Sequence, residues 1–150
     1  MPARSRTLIL RIGGVMLIVL GTLHLTVTPF IASLISENAT QTVAAWLTPP
    51  MLLNHVIAGI LLLPLGFFIF YAAPSAAIGE PWALVVIRVS AVTVNTLPLV
   101  LFLLMGDRYF GAPPFVAATI TVCVAALTLL AAAFWPTNRV AGETSREQKK

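Results

Sequence analysis

Residues 51–70, MLLNHVIAGILLLPLGFFIF, form a long apolar run whose strongly polar members, Asn54 and His55, stand together near its start. As a helix, about 20 residues extend about 30 Å, the thickness of a bilayer's hydrocarbon core. The stretch therefore reads as a spanning helix over about 51–71, and Pro64 inside it predicts a kink. The preceding apolar run, Leu8 to Thr28, has the same span length and carries the chain's other histidine, His24. Arg4, Arg6 and Arg11 stand at its start. The run is too long for a signal-peptide core, and no A-x-A-like site follows it closely, so it reads as an anchor that stays in place.

Working outward, two further spans follow, about 82–105 and 114–135. The third contains Arg88, Asn95 and Pro98, and Pro114 suits the first turn of the fourth. Residues 72–81 and 106–113 read as short loops. Between the first two spans lies FIASLISENATQTVAAWL, residues 30–47, set off by Thr28-Pro29 and Pro49-Pro50. Its apolar residues Phe30, Ile31, Leu34 and Ile35 have amphipathic spacing, and Trp46 is an interfacial type of residue. This predicts a short interfacial segment at the membrane surface. Asn38-Ala39-Thr40 matches a glycosylation sequon, a short pattern that arises readily by chance. Residues 1–7 are a basic head, and the polar tail 137–150 reads as a disordered cytoplasmic segment.

Composition agrees. Of the 150 residues, 59% are hydrophobic and 9% charged, with a mean hydropathy of +0.97. An ordinary soluble domain carries roughly 25% charge. The net charge of +4 does not indicate nucleic acid, because the basic residues sit at the chain ends and beside the apolar runs. Cys123 is the sole cysteine, which excludes an internal disulfide and a cysteine-based zinc or iron–sulfur site. The fold class is thus all-α: an integral membrane four-helix bundle, one domain over 8–136, with the bilayer as its principal partner.

Four spans put both termini on one side. With the N-terminus inside, Arg4, Arg6, Arg11, Arg88, Arg139, Arg146, Lys149 and Lys150 are inner and Arg108 alone is outer. That bias predicts a multi-pass protein of the inner (plasma) membrane with both termini cytoplasmic.

Small residues mark where membrane helices meet. Gly14, Gly21 and Thr28 recur every seven residues on the first helix, as do Gly59, Gly66 and Ala73 on the second. His24 and His55 lie three or four residues from these glycines, hence on the inferred packing faces, and at similar depth. Thr121 and Thr128, with Ala125 and Ala132, give the fourth helix a small-residue face. Asn95 falls near mid-membrane, where an amide needs a partner. Bridging between helices is the simplest role for it, and for Asn54 beside the histidines. Arg88 is placed to snorkel to the cytoplasmic headgroups or to pair with an anionic lipid or substrate.

The chemistry of these residues admits a few uses. Two histidines on facing helices could ligate one haem b axially or contact a quinone, provided the gap between them is wide enough. They could equally hydrogen-bond across the interface, His24 to Asn54 for instance. Two histidines alone rarely hold a divalent ion, and no carboxylate lies at their depth, so no metal site is assigned. No nucleophile–base–acid set, phosphate loop or carboxylate pair is visible.

The reading LGTLHL at residues 20–25, with Asn54-His55 opening the second span, resembles the small four-helix inner-membrane proteins of bacteria, broadly the DoxX-like group. That resemblance implies an inner-membrane location and a respiratory or redox neighbourhood, and no catalytic residue is carried over from it. The functional expectation is a binding, accessory or assembly subunit, as a homodimer or within a larger membrane complex, rather than an independent enzyme. A haem- or quinone-binding redox protein using His24 and His55 is the second reading. A dimeric small-solute transporter lined by Asn95 and Arg88 is the third.

Overall fold

The computed structural model describes residues 1–105 and 113–136. Four helices account for nearly all of them: α1 (Ala3–Asn38), α2 (Gln41–Ile78), α3 (Pro81–Met105) and α4 (Pro113–Phe134). Contacts run α1–α2, α2–α3, α3–α4 and α4–α1, so the helices form a ring in chain order. Three of them are long and apolar enough to cross a bilayer.

The core is a column of small and branched side chains. Leu10, Ile69, Ala73, Ala76, Ala83, Ile87 and Ala133 are all fully buried. On α1 the buried stripe is Arg6, Leu10, Gly14, Leu17 and Gly21, the three-and-four spacing of one helix face. The remaining surface is apolar as well, with Leu23, Phe67, Val89, Leu103 and Val124 all exposed. On α4 the packing face is Ala126, Leu129, Ala132 and Ala133, which keeps Ala132 of the anticipated small-residue face but not Thr128. Thr128 is exposed and hydrogen-bonds the Val124 carbonyl of its own helix. The Thr121 side chain lies outside the described residues.

The first two helices differ from expectation at both ends. Residues 30–47 are not a separate interfacial segment. Those up to Asn38 continue α1, and those from Gln41 begin α2, with only Ala39-Thr40 between. Pro29 does not end α1, and Pro49 and Pro50 lie inside α2. The prolines remove backbone donors, but long packed helices absorb such losses when neighbouring groups satisfy the freed carbonyls. Just before Pro29, the Thr28 hydroxyl donates to the His24 carbonyl of its own helix at 2.7 Å.

The expected loop at 72–81 is also largely helix. Ala72, Ala73, Ala76 and Ala77 are buried and extend α2 through Pro74 to Ile78. The turn is Gly79-Glu80 alone. Gly79 takes φ 91°, a left-handed conformation that suits glycine. Its N–H donates to the Ala76 carbonyl and that of Glu80 to the Ser75 carbonyl, the paired bonds of a Schellman ending. Helices α3 and α4 begin and end within a residue or so of the expected spans. Of the expected loop at 106–113, Pro113 begins α4; residues 106–112 and the tail 137–150 lie outside the described residues.

These lengths create a step. α3 is 25 residues long and starts where α2 stops, so running back beside α2 it reaches only the level of His55. Beyond that level α1 and α2 continue as a paired hairpin, residues 28–38 and 41–53, for about 18 Å. The histidines sit at this shoulder.

Candidate functional site

Two glycine pairs bring α1 and α2 into backbone contact and so place the histidines. A Cβ built on Gly14 would lie 2.7 Å from the Gly66 carbonyl oxygen, and one on Gly21 2.8 Å from that of Gly59. One turn above the Gly21–Gly59 crossing, His24 and His55 meet. Their ring centroids are 4.6 Å apart and their planes tilted by 30°.

One of the two rings is fixed by a hydrogen bond. His24 Nδ1 is 2.9 Å from the Leu20 carbonyl oxygen. A carbonyl only accepts, so in the neutral ring the proton is on Nδ1 and Nε2 is the bare nitrogen. His55 Nε2 is enclosed and has no hydrogen-bond partner. The anticipated contact of His24 with Asn54 is not what holds the ring. Asn54 is exposed, while His24 is held by Leu20 and lies against the His55 ring.

The ring separation tests the haem reading. An iron ligated from both faces of a macrocycle, with metal–nitrogen bonds of about 2 Å, requires ring centroids roughly 6 Å apart on opposite sides. Two tilted imidazoles in contact at 4.6 Å leave no room for a haem between them. The glycine crossing is the physical reason, because it holds the helix backbones too close.

The other sequence candidates lie elsewhere. Asn95 Nδ2 donates to the Ala91 carbonyl of its own helix and to the Ala126 carbonyl of α4, each at 2.8 Å. It thus bridges α3 and α4. The Arg88 guanidinium lies over the Phe134 ring, 5.4 Å from its centroid, at the opposite end of the molecule from the histidines.

Sequence reading passed over Arg6, which is 2% exposed. Its Nε donates to the Ala132 carbonyl at 3.0 Å and its Nη2 to that of Ala133 at 3.1 Å. These are carbonyls in the last turn of α4, where unsatisfied acceptors and the helix dipole favour a cation. Nη1 is enclosed without a partner. The signal was available: stepping back from Gly21 through Gly14 and Leu10 along the buried stripe arrives at Arg6.

Above Arg6 the α1–α4 seam opens. Gly13, Leu17, Leu20 and Leu23 of α1 face Ala126 and Leu129 of α4 and Val94 of α3 across an apolar crevice of about 290 Å³. Neither histidine lines it.

No protein-family model matches the chain, and neither a curated protein nor a solved structure is significantly similar to it.

Proposed function

We propose that this protein is a multi-pass inner-membrane protein with both termini cytoplasmic, serving as a binding, accessory or assembly subunit. The observation that carries this reading is the surface. Large apolar side chains face outward on all four helices, among them Phe30, Phe68, Val85 and Leu127. A water-soluble monomer rarely exposes contiguous apolar patches beyond a few hundred Å². Lipid is the solvent that suits such a surface.

Charge supports the orientation. Arg4, Arg6, Arg11 and Arg88 gather at the end that holds the N-terminus and the Gly79-Glu80 turn, while the far end of the hairpin carries Glu37. An excess of arginine on one side marks the cytoplasmic face. The hairpin then projects outward past the shorter pair α3–α4 and offers a surface to a second copy or to a larger complex.

Membrane fractionation and cysteine labelling test the reading. Cys123 is first replaced by serine. The chain should remain in the membrane after alkaline carbonate washing. A cysteine at Thr40 should react with an impermeant maleimide from outside intact spheroplasts, and one at Ser5 only after lysis. Release by carbonate, or the reverse labelling pattern, refutes it. Cross-linking in native membranes followed by purification should recover a defined homodimer or one stoichiometric partner. Recovery of monomer alone refutes the subunit role.

A further inference from the structure

We propose that Arg11 and Arg88 are seats for the headgroups of anionic phospholipids, one between α1 and α2 and one between α3 and α4. The inference rests on the membrane reading and adds to it a ligand class and the residues that bind it.

The first ground is placement. Arg11 is eight residues into α1 and Arg88 seven into α3. Each therefore stands about two turns inside the end that holds the N-terminus. Both side chains are exposed, which in a bilayer means that they face lipid. A charge there is costly unless the long side chain brings it to a headgroup.

The second ground is what each guanidinium touches. Arg11 reaches from α1 to the Phe70 ring of α2, 5.2 Å from its centroid. Arg88 reaches from α3 to the Phe134 ring of α4, 5.4 Å from its centroid. A ring thus holds each guanidinium where two antiparallel helices adjoin. The face of a ring attracts the cation but offers no oxygen to its five N–H donors. Among the described residues, neither guanidinium donates to a carbonyl or a carboxylate. The donors are open to a ligand, and a phosphate is the oxyanion that a guanidinium pairs with through two parallel N–H bonds.

The third ground is charge and scale. Arg4 and Arg6 stand at the same end of the molecule. A zwitterionic headgroup would bring a further cation among these arginines, whereas an anionic one brings net negative charge. Basic pockets between spanning helices on the cytoplasmic side suit anionic headgroups. A stable protein interface engages about 20–30 residues a side. One arginine on one ring at each seam is the scale of a headgroup instead.

The test is native mass spectrometry of the full chain in mild detergent, equilibrated with phosphatidylglycerol or with phosphatidylcholine of the same acyl chains. The wild-type chain should retain up to two phosphatidylglycerol molecules and hold them more tightly than phosphatidylcholine. Arg11→Gln and Arg88→Gln should each lower that preference about fivefold, and the double variant should abolish it. Phe70→Leu keeps the charge and removes the ring, and it should loosen the lipid by a smaller factor. Equal retention of the two lipids by the wild-type chain overturns the proposal whether or not a variant folds. An undiminished preference in the double variant overturns it too, because the selectivity then lies with other cations. Unchanged binding in Phe70→Leu overturns the part assigned to the ring. A chain that resists carbonate yet shows no preference refutes the seats and leaves the membrane reading intact, while release by carbonate overturns both.

Discussion

Along α2, α1 presents Gly14 and Gly21, and the two backbones meet with no side chain between them. Along α4, the same helix presents Gly13, Leu17 and Leu20, and a crevice remains. One seam is held by close approach at its two glycine crossings. The other is tied at its foot, where Arg6 reaches the Ala132 and Ala133 carbonyls, and is loose above. In lipid there is no hydrophobic drive between helices, so packing contact and interhelical hydrogen bonds decide which pairs hold. The glycines make the α1–α2 pair the rigid half of the molecule. The histidines are mounted on that half, where their mutual geometry is best defended.

Substitutions can break or sharpen this contrast. The largest effect is expected from Gly66→Leu. Even a Cβ there would lie 2.5 Å from the Gly14 carbonyl oxygen, an atom of the backbone that cannot turn aside. The α1–α2 seam must part, at a cost of more than about 3 kcal/mol, measured by denaturation in mixed detergent micelles. Native-like stability in this variant would mean that the close approach does not hold the hairpin.

Next in size is Arg6→Met. It keeps much of the apolar stem but strips two donors from the end of α4. Charge-assisted bonds contribute about 1.5–3 kcal/mol each to stability, and part is regained by removing a buried charge whose Nη1 is unpaired. A net loss of about 2 kcal/mol is expected. Cysteine cross-linking between α1 and α4 near this end should show the seam opening.

Asn95→Leu should cost less, about 0.6 kcal/mol and at most about 1.7, the range for hydrogen bonds between membrane helices. The same denaturation measurement reads it. A loss several times larger would assign Asn95 more than its bridge from α3 to Ala126.

Gly13→Ala is the smallest and the sharpest control. The new methyl meets Leu129 Cδ1 at 3.0 Å, the far end of a flexible side chain beside the crevice. Alanine also gains up to about 1 kcal/mol of helix propensity over glycine. The variant should be neutral or slightly stabilised, while Gly14→Ala, one residue along, should be destabilised. Equal effects at the two positions would erase the distinction between the seams.

How much of this was legible beforehand follows from the kind of signal each residue carries. The heptad spacing of Gly14 with Gly21 and of Gly59 with Gly66 is periodic, so the α1–α2 face and the histidines on it could be read in one dimension. Asn95 declared itself as a lone amide in an apolar run, although its partner Ala126 carries no polar side chain to announce the contact. Arg6 lies on the same periodic face as Gly14 and Gly21, yet it was overlooked because a basic head before an apolar run reads as solvated. Only the packed helices put the α4 carbonyls within its reach. The prolines misled for a related reason. Pro29, Pro49, Pro50 and Pro74 are local breakers, and their penalty is outweighed by contacts made with other helices.

By itself, then, the chain's order of residues determined the all-helical class, the number of helices and their apolar character, because these depend on composition and local periodicity. The tertiary structure alone decided that α1 and α2 outrun α3 and α4, that one seam is tight and the other open, and that the His24 and His55 rings meet at 4.6 Å. Those features depend on how closely two backbones approach, which is set jointly by residues far apart in the chain.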